Sequence, residues 1–91
     1  MSSDRVERIR QELQQHLQPQ FLEIVDDAAQ HIGHAHAGGG HFTVRITSAA
    51  FRGKPRLQRH RMVYASLEPL MQDGIHALSI KALTPEETLS V

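Results

Sequence analysis

Ninety-one residues make one domain, residues 1–91, because a second hydrophobic core would need roughly another hundred. Hydrophobic residues are 40% and charged residues 22%, the balance of an ordinary folded protein, and the absence of cysteine excludes disulfides, thiolate zinc sites and a self-contained cysteine-ligated cluster. The formal net charge is zero, and the opening Met1-Ser2-Ser3-Asp4-Arg5-Val6-Glu7 has no apolar secretory stretch and no membrane span follows, so a cytoplasmic protein with no membrane association is expected.

The first segment reads as an amphipathic helix. Asp4 is its expected N-cap, Glu7 completes a capping box, and Val6, Ile9, Leu13 and Leu17 share one stripe until Pro19 ends it. Phe21 to Asp26 (FLEIVD) is short, apolar and partly β-branched, which predicts a strand. From His31 to His41 the glycines and the lack of periodicity predict a mobile loop. Phe42, Val44 and Ile46 then alternate with Thr43, Arg45 and Thr47, a half-buried strand that should pair antiparallel with the first.

Phe51-Arg-Gly-Lys-Pro-Arg56 predicts a turn, and Pro55 suits the opening of a second helix with Val63, Leu67 and Leu70 or Met71 inward, running to Asp73-Gly74. Pro69 lies inside that span. An interior proline removes a helical hydrogen bond at a cost of about 3 kcal/mol, which predicts a kink or an early end at Ala65 to Ser66. Ile75 to Ala82 reads as a third strand, reached by a helical crossover and therefore parallel to the second. Thr84 and Glu87 have capping-box spacing for a short C-terminal helix. The fold class is thus α+β, in the order α-β-β-α-β, with a three-stranded mixed sheet and both main helices on one face.

Charge is segregated along the chain. Between Ala28 and Leu67 there is no Asp or Glu, while Arg45, Arg52, Lys54, Arg56, Arg59 and Arg61 lie there with most of the histidines. Such a basic middle points to an anionic partner, whether nucleic acid, an acidic protein face or a small anion; a solvated arginine face is the plain alternative. The serines and threonines have no paired base and there is no phosphate-cradling loop, so no enzyme is expected. Taken alone, His31, His34, His36 and His41 read as loop histidines or an adventitious divalent-ion site, His76 as an edge or core histidine, and His60 as structural.

Arg59-His60-Arg61-Met62-Val63-Tyr64 followed by Ile75-His76-Ala77-Leu78 resembles the signature of the BolA family. Leu22 to Asp26, the histidine loop ending His41-Phe42, and Phe51-Arg52-Gly53 carry the likeness over about residues 4 to 85. Pro69 and the lack of an aromatic after the terminal capping box depart from it. The resemblance implies a class II KH-like fold and a protein that is monomeric alone. It also implies a heterodimer with a monothiol glutaredoxin, bridging a [2Fe-2S] cluster held in part by the glutaredoxin's glutathione, with roles in cluster trafficking and iron sensing. His76 is then one ligand and a loop histidine the other, with His31 the best match and His34 and His36 as alternatives. Two histidines on one iron are an established substitute for two thiolates, so a cysteine-free chain can complete a cluster that a partner's sulfur ligands begin. The family's bacterial members imply an alternative, a DNA-binding transcriptional regulator linked to stress and cell shape. Lacking a GxxG loop, this chain would contact DNA or its partner through Arg52, Lys54, Arg56, Arg59 and Arg61.

Overall fold

The computed structural model describes residues 2–26, 40–71 and 75–89. Helix α1 (Ser2–Leu17) begins one turn earlier than its sequence suggests, so Asp4 lies within the first turn and does not cap it. The predicted stripe is inward: Ile9, Leu13 and Leu17 are buried and Val6 packs beside them. Gln18 takes a left-handed φ of 46° and closes the helix with an N–H bond to the Gln14 carbonyl at 3.2 Å, and Pro19 cannot extend it.

Strands β1 (Phe21–Asp26) and β2 (Gly40–Thr47) pair antiparallel, Phe21 opposite Thr47 and Asp26 opposite Phe42. Strand β3 (Ile75–Leu83) runs parallel to β2, so the sheet order is β1-β2-β3 with β2 in the middle. The second strand starts at Gly40, two residues before the predicted alternation; the expected mobility of the histidine loop lies outside the described residues. Because side chains alternate across a sheet, Phe42, Val44 and Ile46 enter one core with Leu22 and Ile24 from β1 and Leu78, Ile80 and Ala82 from β3.

The crossover splits at the predicted place. Helix α2 (Arg56–Ser66) stops before Pro69, and α3 (Glu68–Met71) starts afresh with the proline at its second position. There the missing N–H costs nothing, since the first turn of a helix has no carbonyl to receive it. The Leu67 carbonyl accepts from the Leu70 and Met71 N–H groups at 2.8 and 3.0 Å, joining the two pieces. Pro55 is the N-cap of α2 and not its first residue. Val63, Leu67 and Leu70 are buried against the residues of α1 and β2, which puts both helices on the same sheet face. Helix α4 (Pro85–Leu89) ends the described chain. Leu13 is fully buried at the α1 seam. Leu13→Ala should therefore lower stability by roughly 3 kcal/mol, read as a drop in the urea midpoint with an unchanged slope.

Candidate functional site

The turn after β2 aims the basic segment. Ser48 donates its hydroxyl to the Leu17 carbonyl at 2.6 Å and accepts from the Ala50 N–H at 3.1 Å, starting the 3-10 turn Ala49–Phe51. Phe51 is buried, and Gly53 follows with φ of 74°, a left-handed conformation that glycine adopts without strain. These constraints leave Arg52 exposed beside α4, and Arg59, one turn into α2, beside the end of β3.

Both arginines are engaged within the chain. Arg52 donates from Nε and Nη2 to the two oxygens of Glu86 at 3.0 and 2.5 Å. Arg59 donates from Nη1 and Nη2 to Glu87 at 2.7 and 3.0 Å. Arg59 also donates to the Lys54 carbonyl at 2.7 Å and the Ala82 carbonyl at 3.0 Å, and its side chain is only 13% exposed. It thereby ties the start of α2, the end of β3 and α4 together. Glu87 closes the predicted capping box, accepting the Thr84 N–H at 2.9 Å while its own N–H bonds the Thr84 hydroxyl at 3.1 Å. The Arg59 guanidinium and the Thr84 N–H hold the Glu87 carboxyl down at about 2, and Arg52 lowers Glu86 in the same way.

The five basic residues read from the sequence therefore separate into two sets. Arg52 and Arg59 are bidentate partners of α4, whereas Lys54, Arg56 and Arg61 make no ion pair with a described residue. Arg45 faces Glu23 across the β1–β2 pair at 3.6 Å. The sequence reading missed Glu86 and the arginine-binding role of Glu87, because pairs separated by 34 and 28 residues leave no local signal. It also passed over Leu57 and Tyr64, 62% and 39% exposed on α2. Leu57 falls off the Val63-Leu67 stripe, and that spacing was the available signal.

Two histidines, His41 on β2 and His76 on β3, lie at the other end of the sheet. β1 ends at Asp26, β2 begins at Gly40 and β3 begins at Ile75, and the antiparallel and parallel pairings bring these three points to one edge. Gly40 pairs with Ile75 but His41 with Ala77, which leaves His76 as an extra residue of β3 at a bulge. Bulges break the regular alternation and can re-aim a side chain. His41 is exposed. His31, His34 and His36 lie outside the described residues, in the segment that joins Asp26 to Gly40. Among the described residues no three His, Cys, Asp or Glu side chains group to hold a metal, so they do not form a complete site.

Residues 13–87 match the family model described as BolA-like protein. This chain belongs to the BolA family. It is 45% identical over 87 residues to SufE-like protein 1, chloroplastic/mitochondrial, of Arabidopsis thaliana, covering 88% of this chain but only 24% of that protein. With the DNA-binding transcriptional regulator BolA of Escherichia coli (strain K12) it is 39% identical, covering 89% of this chain and 76% of the other. The solved BolA domain of SufE1 from Arabidopsis thaliana superimposes with a TM-score of 0.80 at 46% identity, over 91% of this chain and 94% of that one. The α+β architecture with its mixed three-stranded sheet is thus the BolA fold. No described helix of this BolA chain is long and apolar enough to cross a membrane.

The carboxylates of α4 make the BolA domain acid-sensitive in a defined window. Glu87 is held at about 2 against 4.5 for a free glutamate, so its contribution is complete above about pH 5 and lost as pH falls towards 2. Thermal unfolding should show a steeper fall of Tm over that window for wild type than for Glu87→Gln. Arg59→Ala, which strips four hydrogen bonds from a largely covered side chain, should cost about 2 kcal/mol in urea unfolding at neutral pH.

Proposed function

We propose that the protein is the partner of a monothiol glutaredoxin in iron–sulfur cluster trafficking and iron sensing, and not an enzyme. In this reading it supplies His76 and one loop histidine, His31 first, with His34 or His36 as alternatives, to a [2Fe-2S] cluster whose sulfur ligands come from the glutaredoxin and its glutathione. The single observation behind the proposal is topological: the segment carrying the three loop histidines is rooted at Asp26 and Gly40, at the edge where β3 delivers His76. A chain without cysteine cannot bind such a cluster alone, which suits a donor of a partial ligand set. His76 sits on a strand, whereas His31, His34 and His36 belong to the glycine-bearing sequence between Asp26 and Gly40. Histidine binds iron in its neutral form, so retention of the shared cluster should weaken as pH falls into the acid range. The protein is read as a cytoplasmic monomer that becomes a one-to-one heterodimer.

Cluster reconstitution with a monothiol glutaredoxin followed by gel filtration tests this directly. A coloured heterodimer is expected, and His76→Ala should abolish its visible absorption or shift it while leaving the unfolding midpoint of the free protein in place. His31→Ala should have the largest effect among the loop variants. An unchanged spectrum for His76→Ala rules the ligand assignment out.

A second reading, DNA binding by a transcriptional regulator, is supported by Lys54, Arg56 and Arg61, which face no carboxylate among the described residues, and by the name of the Escherichia coli relative. Phosphate contacts from these side chains would give affinity that falls steeply with salt. Arg56→Glu and Arg61→Glu should each weaken binding to a promoter fragment, measured by fluorescence anisotropy, without altering the fold; equal affinity in both variants counts against this reading.

A further inference from the structure

We propose that Arg52 and Arg59 form a seat for a chain of phosphates, and that α4 holds it shut with Glu86 and Glu87 standing where the phosphates would bind. This rests on the second reading above. Each arginine presents two parallel N–H donors to two carboxylate oxygens, the same fork that a phosphate accepts. The two pairs meet α4 at consecutive positions, Glu86 and Glu87.

Two properties of the fold make the occupant removable. The first is the way α4 is held. It has no buried side chain, Leu89 is 85% exposed, and the bonds that fasten it include the two fork pairs, the Thr84 box, and the Thr88 hydroxyl against Thr47 at 3.1 Å. Elements held by exposed polar contacts sit at the low end of local stability, and their ion pairs are screened by salt. The second is the way Arg59 is held. Its bonds to the Lys54 and Ala82 carbonyls do not involve α4, so the guanidinium stays aimed when Glu87 leaves. The Arg59 half of the seat is therefore formed in advance and not assembled by the ligand. With the seat shut, Lys54, Arg56 and Arg61 are the cations of this segment open to phosphate; opening it adds two more.

The test removes the charge of the occupants without removing the cap. Glutamine at the third helical position keeps the capping-box bond, so Glu86→Gln/Glu87→Gln unlocks the arginines while circular dichroism checks that the domain stays folded. Binding of a 20-base-pair duplex DNA and of inorganic polyphosphate is measured over a salt series for wild type and the double variant. Each added phosphate contact steepens the plot of log affinity against log salt by about 0.9, so the variant should bind more tightly at low salt with a slope steeper by about 1.8. Adding Arg52→Gln to the variant should remove about half of that gain. Glu7→Gln/Glu12→Gln on α1 changes net charge by the same amount without touching either fork pair and should leave the slope unchanged; an equal steepening there overturns the proposal. A gain with polyphosphate but no DNA binding keeps the seat and removes the DNA reading. DNA binding with identical slopes for wild type and variant keeps the DNA reading and overturns the seat. No binding of either polyanion by either protein overturns both.

Discussion

The double pairing of β2 is the constraint on which the rest of the molecule depends. Its even-numbered residues Phe42, Val44 and Ile46 are buried under α1 and α2, while its two backbone edges hold β1 and β3. A slip of one residue would turn Thr43 and Arg45 into the core and Phe42 and Val44 out of it, so the register is enforced by burial. Each buried aliphatic or aromatic side chain contributes about 1.5–3 kcal/mol, far more than a surface ion pair. Once the register is set, the two ends of the sheet are set with it. At one end lie the roots of the histidine segment and the start of β3. At the other, Thr47 and Ser48 receive α1, the Ser48 N–H bonds the Leu83 carbonyl at 3.0 Å, and α4 follows. Eight residues of strand at about 3.3 Å each keep these ends roughly 25 Å apart.

The charge pattern looks different in space from how it looks along the chain. A basic stretch of forty residues without a carboxylate suggests an extended cationic face, yet folding returns acids to it from both flanks. Glu23 reaches Arg45 across the sheet, and Glu86 and Glu87 reach Arg52 and Arg59 from the C-terminal side. The depression of Glu87 to about 2 records this pairing. Two kinds of arginine result. Arg59 is a strut whose removal leaves the Lys54 and Ala82 carbonyls without their donor, whereas Arg56 and Arg61 project from α2 with no such duty.

Most of the fold was legible because its signals are local. The stripe of α1, the FLEIVD strand, the alternation from Phe42, the break before Pro69 and the Thr84-Glu87 box each depend on residues within one or two turns of each other. The start of α1 was misjudged because Asp4 satisfies the capping pattern without being at the end of the helix. The site was less legible for a related reason. His76 and the basic residues could be picked out by type and by family likeness, but the partners of Arg52 and Arg59 come from across the fold. Nor does sequence periodicity reveal the bulge, because it arises only from how β3 meets Gly40 and His41.

The two proposed activities sit at opposite ends of one sheet, and this bears on whether they interfere. At ordinary ionic strength exposed charges are screened beyond about 10 Å, so a cluster held near His76 would exert little direct electrostatic influence on Arg52 or on α4. Any coupling has to pass through covalent and packed structure. Strand β3 is the shortest route, since it carries His76 at its first turn of register and the Ala82 carbonyl that Arg59 grips near its last. The bulge at His76 is the one irregularity in that route, and from Leu78 onward each β3 residue pairs in step with β2. A displacement at His76 would therefore be absorbed at the bulge before it reached Arg59. The architecture favours two independent surfaces on a shared scaffold over one switch operated from either end.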